Sequence, residues 1–259
     1  IKYMAEKNKI DSLISSLEDH NTSIAEDIKL VTSEQTVKIK PLTIGQQKQI
    51  VKSIVQNVSP EIALENTIHT ILLENVIDGP VIYLIDVSYV LLQLRHNMYG
   101  PDLTLFVEDD EHKINLSKQL EYINNKISTP QETKYTVQSD DIKINCELPT
   151  LQIEIDRSKQ AAKYIEEKHE SVAAATGDIY LIEVAKQIQS IEINEESVEL
   201  SEATLEEMIE VVNKIPYSLT KQISENIQKQ NQVDIDIRTN SDLPDGVQIS
   251  VDSTLFTAE

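Results

Sequence analysis

Apolar and polar positions along this chain follow two alternating periods. Ile10, Leu13, Ile14 and Leu17 recur at three- and four-residue spacing, which predicts one apolar stripe along a helix. Asn21-Thr22-Ser23 interrupts that pattern, and Ile24, Ile28 and Val31 are spaced to resume it. A single stripe with polar sides has to lie on something, whether its own domain or a neighbour. Residues 36–40 alternate with period two and predict a short strand ending at Pro41. Thr43 and Gln46 then have the capping-box spacing, opening a helix through Ile50, Ile54 and Val58. Ser59-Pro60 is a second helix start, with Ser as cap and Pro at the first helical position. That helix carries Ile62, Leu64, Ile68, Ile71 and Leu72 and stops before Asp78-Gly79-Pro80.

Residues 81–94 are almost wholly apolar, broken by Asp86. A helix from about Asp86 to His96, carrying Val87, Val90, Leu91 and Leu94, is expected at the centre of a first core. The texture then changes. Residues 103–107 and 113–116 flank a polar turn at 108–111 and predict a hairpin, followed by a helix near 116–127. Strands are expected around 135–137, 142–148 and 151–155, with connections too short for parallel crossovers. Helices return at Ala161, Ala162 and Ile165, and again at Ile179, Ile182, Val184, Ala185 and Ile188, separated by Thr176-Gly177-Asp178. Residues 190–200 read as a hairpin turning at Asn194-Glu195-Glu196. Ser201 is the expected cap of a helix through Leu205, Met208, Ile209 and Val212, and Pro216 starts another with Leu219, Ile223 and Ile227. Val233, Ile235 and Ile237 alternate, Asp245-Gly246 has the signal of a tight turn, and Val247, Ile249 and Val251 alternate back, predicting a closing hairpin.

The fold class is therefore α+β, with helical segments alternating with short antiparallel hairpins. We divide it into an amphipathic arm (1–34), a helical domain with an inserted hairpin (35–128), a β-rich segment (129–156) and helical pairs with a closing hairpin (157–259). Hydrophobic residues make up 40% of the 259 residues, enough to bury a real core. With no Trp and only 2 Phe, that core is aliphatic and offers no aromatic ligand cage.

Charge narrows the partners. The net charge is −21, and it is unevenly placed: −3 over residues 1–100 and −18 over 101–259. Such a chain repels phosphate backbones and anionic membrane faces, so neither nucleic acid nor membrane insertion is expected. No apolar run approaches the ~18–20 residues of a spanning helix. Residues 192–210 hold eight glutamates and no basic residue, either a solvated face or a docking surface for a basic partner. The first residues are polar and do not read as a secretory leader, and an initial Ile leads us to expect that the natural start lies upstream. Cys146 stands alone, which excludes an internal disulfide and a thiolate-rich zinc site and suits a reducing compartment.

Candidate chemistry is sparse. His20, His69, His96, His112 and His169 lie far apart, none at the i, i+3 or i+4 spacing of paired ligands. Cys146 falls in an expected strand, where a buried inert thiol is the natural reading. There is no nucleophile elbow, Walker loop or dinucleotide fingerprint. With 44 acids a close carboxylate pair is uninformative, and residues 108–111 lack the register of a calcium loop. No catalytic residue, cofactor or metal ligand is expected, and an enzyme is the weakest reading.

One set of phrases rises above this background. The stretch Val37-Lys38-Ile39-Lys40-Pro41-Leu42-Thr43-Ile44-Gly45-Gln46-Gln47 resembles the opening of the T-even-type bacteriophage baseplate hub and hub-assembly proteins. So does Ile85-Asp86-Val87-Ser88-Tyr89-Val90-Leu91-Leu92-Gln93-Leu94-Arg95, followed by Tyr99-Gly100. The helix pair near 205–215 and 217–230 and the closing segment with Leu255-Phe256 are similar too, so the resemblance runs in patches over roughly 36–256. Some members carry Cys-x-x-Cys pairs in the hairpin after the buried helix and in the closing hairpin; here 106–112 and 240–246 hold no cysteine. The resemblance implies a virion part of the contractile-tail baseplate, assembled in the bacterial cytoplasm. It would bind other hub and tail proteins, with a tape-measure protein or tail-tube initiator among them. The alternative is an assembly chaperone for hub or tape-measure proteins that then leaves. The stripe of Ile10, Leu13, Ile14 and Leu17, outside the resemblance, is the candidate partner-docking element; packing on its own domain is the competing reading.

Overall fold

A computed structural model describes residues 2–33, 35–56, 60–108, 110–127, 131–168, 174–250 and 253–256. Val58, Ser59, Asp109, His169 and Val251, singled out above, lie outside them. The chain begins with α1 (Lys2–Ser23), then β1 (Glu26–Lys29) and β2 (Thr36–Ile39). Two helices follow, α2 (Ile44–Gln56) and α3 (Pro60–Asn75), and β3 (Val76–Asp78) returns to close an antiparallel sheet of order β1-β2-β3. Thr43 and Gln46 cap α2 reciprocally: Thr43 Oγ1 accepts from the Gln46 N–H at 3.2 Å, and Gln46 Oε1 from the Thr43 N–H at 3.0 Å. After β3 the backbone passes so close to β2 that a Cβ on Gly79 would lie 2.8 Å from Val37 Cα, and its φ of +127° also demands glycine.

A single 3-10 turn (Leu84–Asp86) leads into α4 (Val87–Tyr99), the predicted central helix. Val90, Leu91, Leu92 and Leu94 are buried against Ile28 and Ile39 of the first sheet, Ile71 and Leu72 of α3, and Leu255 and Phe256 near the chain's end. The predicted hairpin forms as β4 (Asp102–Val107) and β5 (Asp110–Asn115), and α5 (Leu116–Lys126) seals that side with Leu116 and Ile123.

A second core lies under a four-stranded antiparallel sheet, β6 (Lys134–Ser139), β7 (Ile142–Glu147), β8 (Ile188–Ile193) and β9 (Glu196–Glu199) in that order. Between β7 and β8 come α6 (Leu151–Lys168) and α7 (Thr176–Ala185); α8 (Leu205–Val212) and α9 (Tyr217–Arg238) follow β9. Val137, Ile144 and Cys146 of the sheet pack with Val184 of α7, Met208 of α8 and Leu219 and Ile223 of α9. Asn194 (φ 51°) and Glu195 (φ 69°) form the two-residue turn between β8 and β9, the pair of positive angles a tight hairpin requires. The fold is α+β with aliphatic cores.

Four local expectations are corrected. The segment with Ile28 is strand β1, not resumed helix, because it pairs with β2 and brings Ile28 into the core. Residues 151–155 open α6 instead of forming a strand. Thr150 Oγ1 accepts from the Ile153 N–H at 3.2 Å, and Leu151, Glu154 and Ile155 turn inward together at helical spacing. The cap of α8 is Thr204, not Ser201: Thr204 and Glu207 form the reciprocal box. The closing hairpin is absent among the described residues, since Val233, Ile235 and Ile237 belong to α9. Gln232 to Asp236 and Arg238 to Asp234 pair four residues apart on that helix, and Val233 and Ile237 satisfy helical as well as strand spacing. The turn survives as Val247 N–H donating to Pro244 O, and one isolated bridge, Thr239 to Gln248, remains of the ladder.

Candidate interaction surfaces

The stripe of α1 is bare. Ile10, Leu13, Ile14 and Leu17 are 58%, 59%, 49% and 54% exposed, and every residue from 10 to 20 is exposed. Nothing described in the chain covers these four side chains.

A second open surface is the edge of the four-stranded sheet. Val137, Ile144, Ile191 and Val198 form one row across the inner face, buried at Val137 and Ile144 and 58% exposed at Val198. The helices cover one end of the row and leave β9 uncovered. Around it stand Glu195, Glu196 and Glu199, part of the glutamate run noted above.

A cleft of about 670 Å³ opens between α3, α4 and α9, floored by Leu148 and Pro149. Three of its polar side chains, Ser88, Asp234 and Arg238, bond one another. Ser88 Oγ donates to Asp234 Oδ1 at 2.5 Å, and Arg238 binds the other Asp234 oxygen at 2.6 Å. Desolvation, then the Glu154 carboxylate, hold Glu65 above the ordinary carboxylate range. His69 is 5% exposed and its Nδ1 has no hydrogen-bond partner. Burial drives its pKa from 6.5 to about 4; Glu154 pulls it up and Lys186 pushes it down. Because the unfolded chain takes up this proton below about 6.5 and the folded chain only below about 4, stability falls as pH drops through that window. The loss reaches about 2 kcal/mol by pH 5. Urea midpoints at pH 7 and pH 5 should show it in the native chain, and His69→Gln should remove that part of the difference.

The other predicted positions are dispersed. His96 bonds Ser117 Oγ at 2.8 Å, His112 bonds the Asp242 carbonyl at 3.1 Å, and His20 sits on exposed α1. Cys146 is buried, and desolvation pushes its thiol up to about 12, against a weaker opposing hydrogen bond from Tyr135. Among the described residues no group of three or more His, Cys, Asp or Glu is arranged to hold a metal ion. No described helix is long and apolar enough to cross a membrane.

Two buried ionic sites were not anticipated from the sequence. Asp86 lies fully inside the first core. Its Oδ1 accepts from the N–H groups of Val31 (2.7 Å) and Thr32 (2.9 Å), and its Oδ2 from the Thr32 hydroxyl (2.9 Å) and the Tyr83 N–H (3.1 Å). Burial raises its pKa, and those hydrogen bonds, Thr32 foremost, pull it back. Lys186, at the end of α7, is buried against Glu154 of α6 at 2.9 Å and also meets Glu183 at 2.8 Å. Burial alone would lower its pKa; the Glu154 and Glu183 carboxylates hold it above the ordinary lysine value.

The α1 stripe and the β9 edge are thus the two open apolar surfaces described above. The family described as T4 bacteriophage base plate protein matches residues 23–242, and this chain belongs to that family. It is a phage baseplate-related structural protein, which implies a place in the virion tail and contacts with other tail and baseplate proteins. The match begins at the last residue of α1, so the bare helix lies outside the shared region. No curated protein and no solved structure matches the chain.

Proposed function

We propose that this chain is a resident component of the hub region of a contractile-tailed phage baseplate. It works by holding other hub and tail proteins during tail assembly in the host cytoplasm, not by catalysis. The observation that carries this reading is the uncovered apolar stripe of α1 on a chain of the baseplate family. A stripe at Ile10, Leu13, Ile14 and Leu17 left in water has no use in the isolated chain, and the surface apolar area it offers is what an assembly contact buries. In the cleft the Ser88 hydroxyl is engaged by Asp234, which also holds Arg238. Expected neighbours include the tape-measure protein or the tail-tube initiator.

Replacing Ile10, Leu13 and Ile14 together with Ser tests the docking role. All three are exposed, so stability should change by less than about 0.5 kcal/mol per site, while infected cells supplied only with this variant should build no complete tails. Normal tail yield, or aggregation of the purified variant, would overturn the docking role.

A further inference from the structure

We propose that β9 is the docking edge for an extended segment of a partner protein, added as a fifth strand with basic residues on either side of an apolar one. This names a second contact for the assembly role proposed above, on which it rests, and it does not involve α1. β9 is the outer strand of its sheet, and all four of its residues are exposed. In an antiparallel ladder, alternate residues exchange bonds with the neighbouring strand, and the residues between them turn their N–H and C=O groups the other way. The Leu200 N–H bonds the Gln189 carbonyl at 2.8 Å, which fixes Val198 with Ile191 and Glu196 with Ile193 as the bonded pairs. Ser197 and Glu199 therefore turn their backbone groups away from β8, and no described residue bonds those groups. A row of open donors and acceptors is a template for another strand.

The side chains say which strand fits. Val198 is uncovered on the inner face, so an apolar residue opposite it would extend the row of Val137, Ile144, Ile191 and Val198 by one place. Glu196 stands two residues away on that same face, and Glu199 is the next residue along, on the other face. Of the glutamates at 192–210, Glu192 pairs with Lys143 and Glu206 with Lys168, while Glu195, Glu196 and Glu199 meet no cation among the described residues. A second copy of β9 is not the missing strand. It would bring the same three carboxylates to the edge, and residues 187–213 hold no basic side chain to meet them. The glutamates thus repel an acidic strand and admit a basic one, and the −18 carried by residues 101–259 steers such a partner inward. Set antiparallel to β9, the partner strand is basic opposite Glu199, apolar opposite Val198, open in choice opposite Ser197 and basic opposite Glu196. Its pattern is Lys or Arg, apolar, any residue, Lys or Arg.

Amide NMR of the full chain, titrated with a soluble peptide centred on Lys-Val-Thr-Lys, tests the edge residue by residue. The Ser197 and Glu199 N–H groups should exchange rapidly with water in the free chain and slow by about tenfold or more at saturating peptide. The matching peptide with Glu in place of both Lys should leave them unchanged. Glu196→Lys with Glu199→Lys should reverse the preference between the two peptides at an unchanged urea midpoint, since both side chains are exposed. Ser197→Pro removes an outward N–H and no ladder bond, so it should abolish peptide binding. No saturable binding of the Lys peptide, equal binding of both peptides by the native chain, or protection confined to residues outside β9 would overturn the proposal. A chain found in particles at a fixed ratio whose edge takes no peptide sinks the edge alone; a chain that takes the peptide on β9 but is missing from particles sinks the baseplate proposal instead.

Discussion

Asp86→Ala is expected to lower the stability of the native chain by about 4 kcal/mol, read as a shift of the urea midpoint at unchanged slope. The carboxylate satisfies three backbone N–H groups and a hydroxyl, all at or near the core, and ties the segment after β1 to the entrance of α4. Alanine removes every acceptor and leaves those donors without partners, at about 1–3 kcal/mol for each that water fails to reach. Asp86→Asn keeps Oδ1 as an acceptor for Val31 and Thr32 and sets an amide donor against the Tyr83 N–H, so it should cost roughly half as much. Equal midpoints for native and Asp86→Ala chains would show that the carboxylate does not organise this junction.

The buried pair of Glu154 and Lys186 gives the second large effect. Lys186→Ala should cost about 3–5 kcal/mol, because it leaves the Glu154 carboxylate buried without its cation. Glu154 also accepts from Ser158 Oγ at 2.7 Å, and its second oxygen is buried without a partner. One hydroxyl is poor compensation for a buried charge. Replacing both members with apolar residues of similar size, Glu154→Leu with Lys186→Met, should return stability to within about 1 kcal/mol of the native chain or above it. The cycle separates the cost of an orphaned charge from the worth of the pair. If the double variant were as unstable as Lys186→Ala, the ion pair itself would be holding α6 to α7.

Periodicity made the elements with one clear period legible. The helix over 87–99, the hairpin of β4 and β5 and the capping box at Thr43 and Gln46 follow from spacing, because apolar burial and end-capping act locally. The errors fall where two periods coincide. Residues 233–237 alternate like a strand, yet their first and last members are also four apart, and pairs such as Asp234 with Arg238 settle the matter in favour of helix. At 151–155 the apolar residues again suit both periods, and the hydroxyl of Thr150 decides by capping the first turn. Family likeness was readable from the order of the phrases at 37–47 and 85–95, within the region that the family matches.

The buried polar sites were hidden for a different reason. Asp86 was visible as a lone acid in an apolar run, but its partners, Val31 and Thr32, lie more than fifty residues away and only folding brings them together. Glu154 and Lys186 are two charges among many in a chain with 44 acids and 23 basic residues, and nothing in the linear order marks them as the pair that goes inside. The α1 stripe was legible as amphipathic, while its exposure was not, since a stripe at helical spacing serves a chain's own core and a partner's groove equally.

Quantitative mass spectrometry of purified phage particles weighs the central claim most directly, by counting this chain against the other baseplate subunits. A resident part of the hub region should be present at a fixed, small whole-number ratio to them in every preparation. Absence from finished particles, alongside abundance in the infected cell, would contradict the claim and identify a factor that shapes the hub and departs.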